Sequence, residues 1–185
     1  MTLTTSTFKV LQKGGIAPDF NLPGIDGKNY SLKHFKDKKA LLVVFMCNHC
    51  PYVIPKIPVL IGLQRQYANR GLQILGINAN DTKKFPEDSF DQMKVFAKDQ
   101  RINFAYLFDE AQLVPKKYGA VCTPDPFLFN SKLELQYHGR IDDAHGKPHE
   151  EAKTNELEEA IIQVIATGKN NVPALPSMGC NIKWK

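Results

Sequence analysis

A chain of 185 residues with 43% hydrophobic and 23% charged residues has the makings of one globular domain with a real core, which sets aside disordered and fibrous classes. Its formal charge of +5 comes from scattered Lys and Arg, with no aromatic residues interleaved along a basic face, so no nucleic-acid partner is expected. No apolar run approaches the roughly 18 residues of a membrane span, and Met1–Gly15 holds no apolar core of a secretory signal, so the expectation is a cytoplasmic chain with no membrane partner.

In chain order, Ala17–Leu22 and Lys28–Leu32 are expected to be short strands, with Asp26-Gly27 supplying a hairpin turn between them. After a charged turn at Lys36–Lys39 come seven uninterrupted apolar residues, Ala40–Met46, which predict a strand buried on both faces. That strand runs into Cys47-Asn48-His49-Cys50-Pro51, where Pro51 suits the first turn of a helix. Val53, Ile57, Leu60, Ile61 and Ala68 keep helical spacing to Arg70, with Pro55 and Pro58 interrupting the first turns and Gly71 as the stop.

Leu72–Ile77 predicts a second strand, followed by a polar loop to Asp88. Ser89 with Gln92 forms a candidate capping box for a helix lined by Phe90, Met93 and Ala97. A third strand is expected at Phe104–Phe108, and Asp109 with Gln112 offers a second capping box for a short helix ending near Gly119. Two further strands follow at Phe127–Phe129 and Leu133–Gly139. Leu157, Ala160, Ile161, Val164 and Ile165 trace one face of a closing helix. Residues 169–185 contain Pro173 and Pro176 and are expected to form an extended tail packed on a single domain of residues 1–168.

The Cys-x-x-Cys stretch carries the chemistry. A cysteine between a strand end and a helix N-terminus sees partial positive charge, which favours the thiolate that attacks disulfides or peroxides. Structural zinc takes four ligands and no second cysteine pair follows; covalent haem attachment needs His where Pro51 stands. No cofactor and no resident metal are therefore expected. A non-enzymatic alternative stays open, in which Cys47, Cys50 and a histidine bind copper(I). His49, with Asn48 beside it, is the candidate for tuning the pair through an imidazolium, against the plain reading of a solvated side chain. His34, His138, His145 and His149 lack metal-ligand spacing among themselves.

Ala17-Pro18-Asp19-Phe20, the Asp26-Gly27-Lys28 turn, Leu42–Phe45, Cys47–Pro51, Thr123-Pro124 and Gly179–Trp184 together resemble the thioredoxin superfamily, in its peroxiredoxin-like (redoxin, AhpC/TSA-type) branch. The resemblance implies an α/β thioredoxin-like fold: a mixed central sheet flanked by helices, with the hairpin as an N-terminal extension. It implies a thiol–disulfide oxidoreductase in which Cys47 attacks, Cys50 resolves, and a cis Thr123–Pro124 peptide shapes the docking groove for protein or low-molecular-weight disulfide and thiol substrates. The enzymatic alternative is a thiol peroxidase using Cys50. Peroxiredoxins place proline and threonine seven and three residues before their reactive cysteine, and here those positions hold Val43 and Cys47. Thioredoxins bury an acidic residue on the strand leading to the motif, yet Ala40–Cys50 contains no carboxylate, so the sequence names no proton acceptor for Cys50. Cys122 and Cys180 remain as possible extra thiols, with plain packing as the default for both. Arg140, Asp142 and Asp143 also resemble a stretch of this branch, with no role assigned.

Overall fold

The computed structural model describes residues 2–185. The strands are β1 (Leu3–Thr5), β2 (Leu22–Pro23), β3 (Asn29–Tyr30), β4 (Ala40–Phe45), β5 (Leu72–Asn78), β6 (Ala105–Phe108), β7 (Cys122–Thr123), β8 (Asp125–Asn130), β9 (Leu135–His138) and β10 (Met178–Asn181). The α-helices are α1 (Ile57–Tyr67), α2 (Phe90–Asp99), α3 (Leu113–Tyr118) and α4 (Glu156–Thr167). Among the described residues, no helix is long and apolar enough to cross a membrane.

The main sheet has the order β6-β5-β4-β8-β9, with β4, β5 and β6 parallel and β8 and β9 antiparallel. β4 lies at its centre, which explains why an unbroken apolar run is required: all six residues are at most 1% exposed. Alternate side chains point to opposite faces. Leu42 and Val44 join the core packed under α1, α2 and α4, while Leu41, Val43 and Phe45 join the core under α3 and the N-terminal hairpin. The five apolar positions expected on α4 are all buried, as is Met93 on α2.

Local chemistry trims several expected elements. The hairpin is only two residues a side, because the Asp19 carboxylate takes the Leu32 N–H at 3.0 Å and Ala17 bonds Leu133 instead. Ser89 is the N-cap of α2 but its side chain makes no capping bond. At α3 the N-cap is Gln112, and Asp109 caps from further back by accepting the Val114 N–H at 2.7 Å. The helix expected from Pro51 starts later: residues 51–53 form a turn, Ile54–Lys56 a single 3₁₀ turn, and α1 begins at Ile57. Pro55 and Pro58 each sit at the start of a helical segment, where a missing N–H costs nothing.

Residues beyond α4 do more than pack. β10 lies between β1 and β7 as the middle strand of a second, three-stranded antiparallel sheet.

Candidate active site

Parallel strands deliver their C-terminal loops to one end of a sheet. Here the turn after β4 carries Cys47–Cys50, and the loop after β5 carries Asn80, Glu87 and Asp88. β8 runs the other way, so its first residue, Asp125, lies opposite Phe45, which brings β7 and the cis Thr123–Pro124 peptide to the same end.

Thr123 touches both sulfurs of the motif. Its hydroxyl lies 3.7 Å from Cys47 Sγ, and its carbonyl oxygen lies 3.3 Å from Cys50 Sγ, where it accepts a hydrogen bond when Cys50 is protonated. Cys47 and Cys50 are 1% and 0% exposed, so neither is the open thiol that the sequence assigns to Cys47. α1 begins too far along the chain for its N-terminal amides to serve Cys47. Charge in the pair falls on Cys50, which is lowered to about 5, chiefly because the Cys47 thiol donates to it and then because Thr123 and Cys180 hydrogen-bond it as well. The Cys47 thiol is correspondingly pushed well up by its bond to Cys50, by burial and by the nearby Asp88 carboxylate.

Asp88, fully buried, is the carboxylate missing from the strand. One of its oxygens accepts the Asn48 backbone N–H at 2.8 Å, and the other accepts from Asn80 Nδ2 at 2.7 Å and pairs with His49 Nδ1 at 2.7 Å. Asn48 is clamped further, donating to the Glu87 carbonyl at 2.9 Å and accepting from the Tyr106 hydroxyl at 3.0 Å. His49 also stacks on Phe85 at 5.6 Å. The Asp88 partnership raises the His49 pKa against the opposing effect of burial, and the Cys50 thiolate adds to the rise. Asn48 is thus held at three points in the turn, and the Asp88 contact favours the charged form of His49.

Cys47, His49 and Asp88 present one sulfur, one nitrogen and one oxygen within 4.8 Å of one another. Cys50 is not in that group, so the copper set expected from the sequence is not the one assembled. Asp88 already accepts two hydrogen bonds and pairs with His49, so a cation there would compete with all three partners.

The proposed docking groove is covered. Thr123 is 3% exposed, Cys180 of β10 pairs across from it, and Ser177 Oγ donates to the Pro124 carbonyl at 2.7 Å. The backbone edge that would receive an extended substrate is taken by the chain's own β10. Cys122 neighbours Thr123 along β7 and so projects from the opposite face; burial pushes its thiol far up. Cys180 does reach the motif, in hydrogen-bond contact with Cys50. Asp142 pairs with Lys56 and His149 beside the start of α1, and His138 pairs with Asp125. A surface cleft of about 470 Å³ is lined by Lys13, Asn130, Lys132 and Lys169. Asn130 pairs with Ala40, at the end of β4 remote from the cysteines.

Over 109 residues the chain is 29% identical to the chloroplastic peroxiredoxin Q of Triticum aestivum, a match covering 59% of this chain and 46% of that protein. It is 27% identical over 120 residues to the thiol-disulfide oxidoreductase ResA of Bacillus thuringiensis subsp. konkukian (strain 97-27), covering 65% of each. The chain thus spans about half the length of the peroxiredoxin Q relatives and somewhat more of ResA. The crystal structure of a hypothetical protein from Sinorhizobium meliloti 1021 superposes with a TM-score of 0.88 at 37% identity, covering 100% of this chain and 99% of that one. A thioredoxin domain of a thiol-disulfide oxidoreductase from Bacteroides vulgatus, at TM-score 0.61 and 20% identity over 69% of this chain and 88% of its own, shows the fold to be thioredoxin-like. Residues 14–138, which hold the cysteine turn, the Asp88 loop and the Thr123 strand, match the AhpC/TSA family, and the chain belongs to that family.

Proposed function

We propose that the chain is a thiol–disulfide oxidoreductase whose Cys47–Cys50 pair cycles between dithiol and disulfide on protein or low-molecular-weight disulfides. The observation that carries this is geometric: both sulfurs lie against Thr123 of the cis peptide, with its hydroxyl 3.7 Å from Cys47 Sγ and its carbonyl 3.3 Å from Cys50 Sγ, in a setting that lowers the Cys50 pKa to about 5. Cys50 is hemmed in by Cys47, Thr123 and Cys180, which leaves Cys47 as the sulfur that meets substrate. As Cys47 attacks, its proton passes to Cys50, a mixed disulfide forms at Cys47, and the substrate's other sulfur leaves as thiolate. That thiolate takes the proton back from Cys50, and Cys50 then displaces the second substrate sulfur to close the Cys47–Cys50 disulfide. His49 stabilises the thiolate stage, and the acceptor missing from the strand is supplied within the pair. The similarity to ResA supports this reading. A compartment that keeps thiols reduced suits the cycle.

The low value at Cys50 together with the peroxiredoxin Q relatives favours a second reading, in which Cys50 reacts directly with peroxide. Two variants separate them. Under exchange, Cys50→Ser accumulates mixed disulfides through Cys47 when given a disulfide substrate, and Cys47→Ser accumulates none. Under peroxidase chemistry, Cys47→Ser exposed to low peroxide forms a sulfenate on Cys50, or the disulfide that sulfenate makes with a neighbouring thiol. Intact-mass analysis reads both. Rapid Cys50 oxidation in Cys47→Ser with no trapped adduct in Cys50→Ser rejects the exchange reading.

A further inference from the structure

β10 enters the site the way a bound strand would. It runs antiparallel to β7 with Cys180 opposite Thr123, the residue whose hydroxyl contacts Cys47 and whose carbonyl contacts Cys50. The segment is held on both sides of Cys180. Ser177 bonds Pro124; beyond the strand, the Lys183 N–H donates to Asn80 Oδ1 at 2.8 Å and its carbonyl accepts from the Asp81 N–H at 2.7 Å. Gly179 permits the approach: a Cβ there would lie 1.9 Å from the Thr123 carbonyl oxygen. The result is a third thiol, 3% exposed, in hydrogen-bond contact with Cys50.

We propose that Cys180 is a redox thiol that attacks the Cys47–Cys50 disulfide at the Cys50 sulfur, giving a Cys50–Cys180 disulfide and a freed Cys47. This rests on the exchange reading above. The Cys180–Cys50 bond forms as the Cys50–Cys47 bond breaks, Cys47 leaves with the electron pair, and the proton lost by Cys180 is available to it. The three sulfurs stay two electrons oxidised throughout, so the step needs no oxidant beyond the substrate disulfide. It returns Cys47 to its attacking form and stores the oxidation on the C-terminal strand. The order is built in. In the reduced protein burial and the adjoining Cys50 thiolate hold the Cys180 thiol up at about 12. Once Cys50 is in a disulfide its charge is gone, and with it the part of the opposition to ionising Cys180 that comes from Cys50, while burial still holds the thiol up.

Trypsin provides the readout, because Cys47 and Cys50 share the peptide 40–56, whereas Cys180 lies on 170–183 and Cys122 on 118–132. The reduced full chain is treated with oxidised glutathione, remaining thiols are alkylated, and disulfide-linked peptides are identified by mass. Wild-type protein is expected to yield the 40–56/170–183 crosslink alongside the internal Cys47–Cys50 disulfide. Cys47→Ser should lose the crosslink, because no Cys47–Cys50 disulfide forms for Cys180 to attack, and Cys180→Ser should lose it while Cys47 becomes protected from alkylation. If wild type forms Cys47–Cys50 with Cys180 fully alkylated, the relay is overturned and the exchange reading stands; a crosslink that persists in Cys47→Ser overturns it too, because Cys180 then reaches Cys50 without the Cys47–Cys50 disulfide. If neither Cys47 nor Cys50 enters a disulfide, it is the exchange reading that fails. Should Cys180→Ser not fold, as judged by circular dichroism, the wild-type and Cys47→Ser maps decide alone.

Discussion

Two aspartates with fully buried side chains, Asp88 and Asp142, each hold a histidine Nδ1 at 2.7 Å, and they do so at opposite ends of the segment that opens α1. Around Asp88 the other donors are amides, from Asn48 and Asn80, so the His49 imidazolium is the cation that answers its charge. Around Asp142 a buried ammonium, Lys56 Nζ, sits 2.6 and 2.8 Å from the two oxygens. A carboxylate answered by a permanent cation is a clamp. One answered by histidine can gain and lose its counter-charge, and Asp88 lies beside the Cys47 sulfur.

The comparison breaks most visibly at Lys56. Both partners are sealed, at 2% and 0% side-chain exposure, so Lys56→Met leaves Asp142 charged and without its ammonium. The expected loss is about 3–5 kcal/mol of folding stability, read from denaturant midpoints. The Cys50 pKa should not move. A stable Lys56→Met protein with a shifted thiol pKa would mean that the clamp belongs to the redox site.

Asp88→Asn tests the other region. Removing an acceptor of buried hydrogen bonds should cost about 1–3 kcal/mol, with two accompanying signatures. Cys47 becomes easier to ionise, since the Asp88 charge holds its thiol up. His49 loses the partner that raises it. Because His49 holds its proton more tightly folded than unfolded, the stability it adds is complete below about pH 6.5 and disappears as pH rises through the raised folded value. The difference between wild-type and Asp88→Asn stability should therefore shrink with rising pH in that window. A difference that is flat with pH would remove the charged pair from the account.

Half of this contrast is legible in the sequence. Ala40–Phe45 and the Leu157–Ile165 face were readable because burial of a whole strand or a helix stripe leaves a local periodic mark, and Cys47–Cys50 because its spacing is local too. Asp88 lies in what reads as a polar loop, 40 residues from the Asn48 amide it accepts. Its one signal is topological: it follows the second of two parallel strands, whose C-terminal loops must meet. Cys180 is brought to Cys50 by strand pairing between β10 and β7, which the prolines at 173 and 176 disguise as a tail. The proton distribution was beyond reach for the same reason, because it depends on Asp88, Thr123 and Cys180 arriving from three other parts of the chain.

Within the active region, His49→Ala isolates the titratable cation from the carboxylate. An imidazolium favours the thiolate, and so the reduced state of the pair. Its removal should make the Cys47–Cys50 disulfide harder to reduce, by ~30 mV or ~1.4 kcal/mol for this two-electron couple. Equilibration against glutathione measures it. An unchanged potential would return His49 to the role of a side chain that merely stacks on Phe85.

The smallest effect is expected from the matching change in the other region. His149→Ala removes the same contact, a Nδ1 at 2.7 Å from a buried aspartate, but leaves that aspartate with Lys56 on both oxygens and with the Ala144 N–H at 2.9 Å. The histidine side chain is 29% exposed, so water can take its place on Asp142. Stability should change by less than about 1 kcal/mol, and the potential of the cysteine pair should stay where it is. Measured beside His49→Ala, this variant asks whether a histidine–aspartate pair matters here as a motif or only where histidine is the sole cation. A potential that moves in both variants would mean that the field from Asp142 reaches the sulfurs and that the two regions act as one.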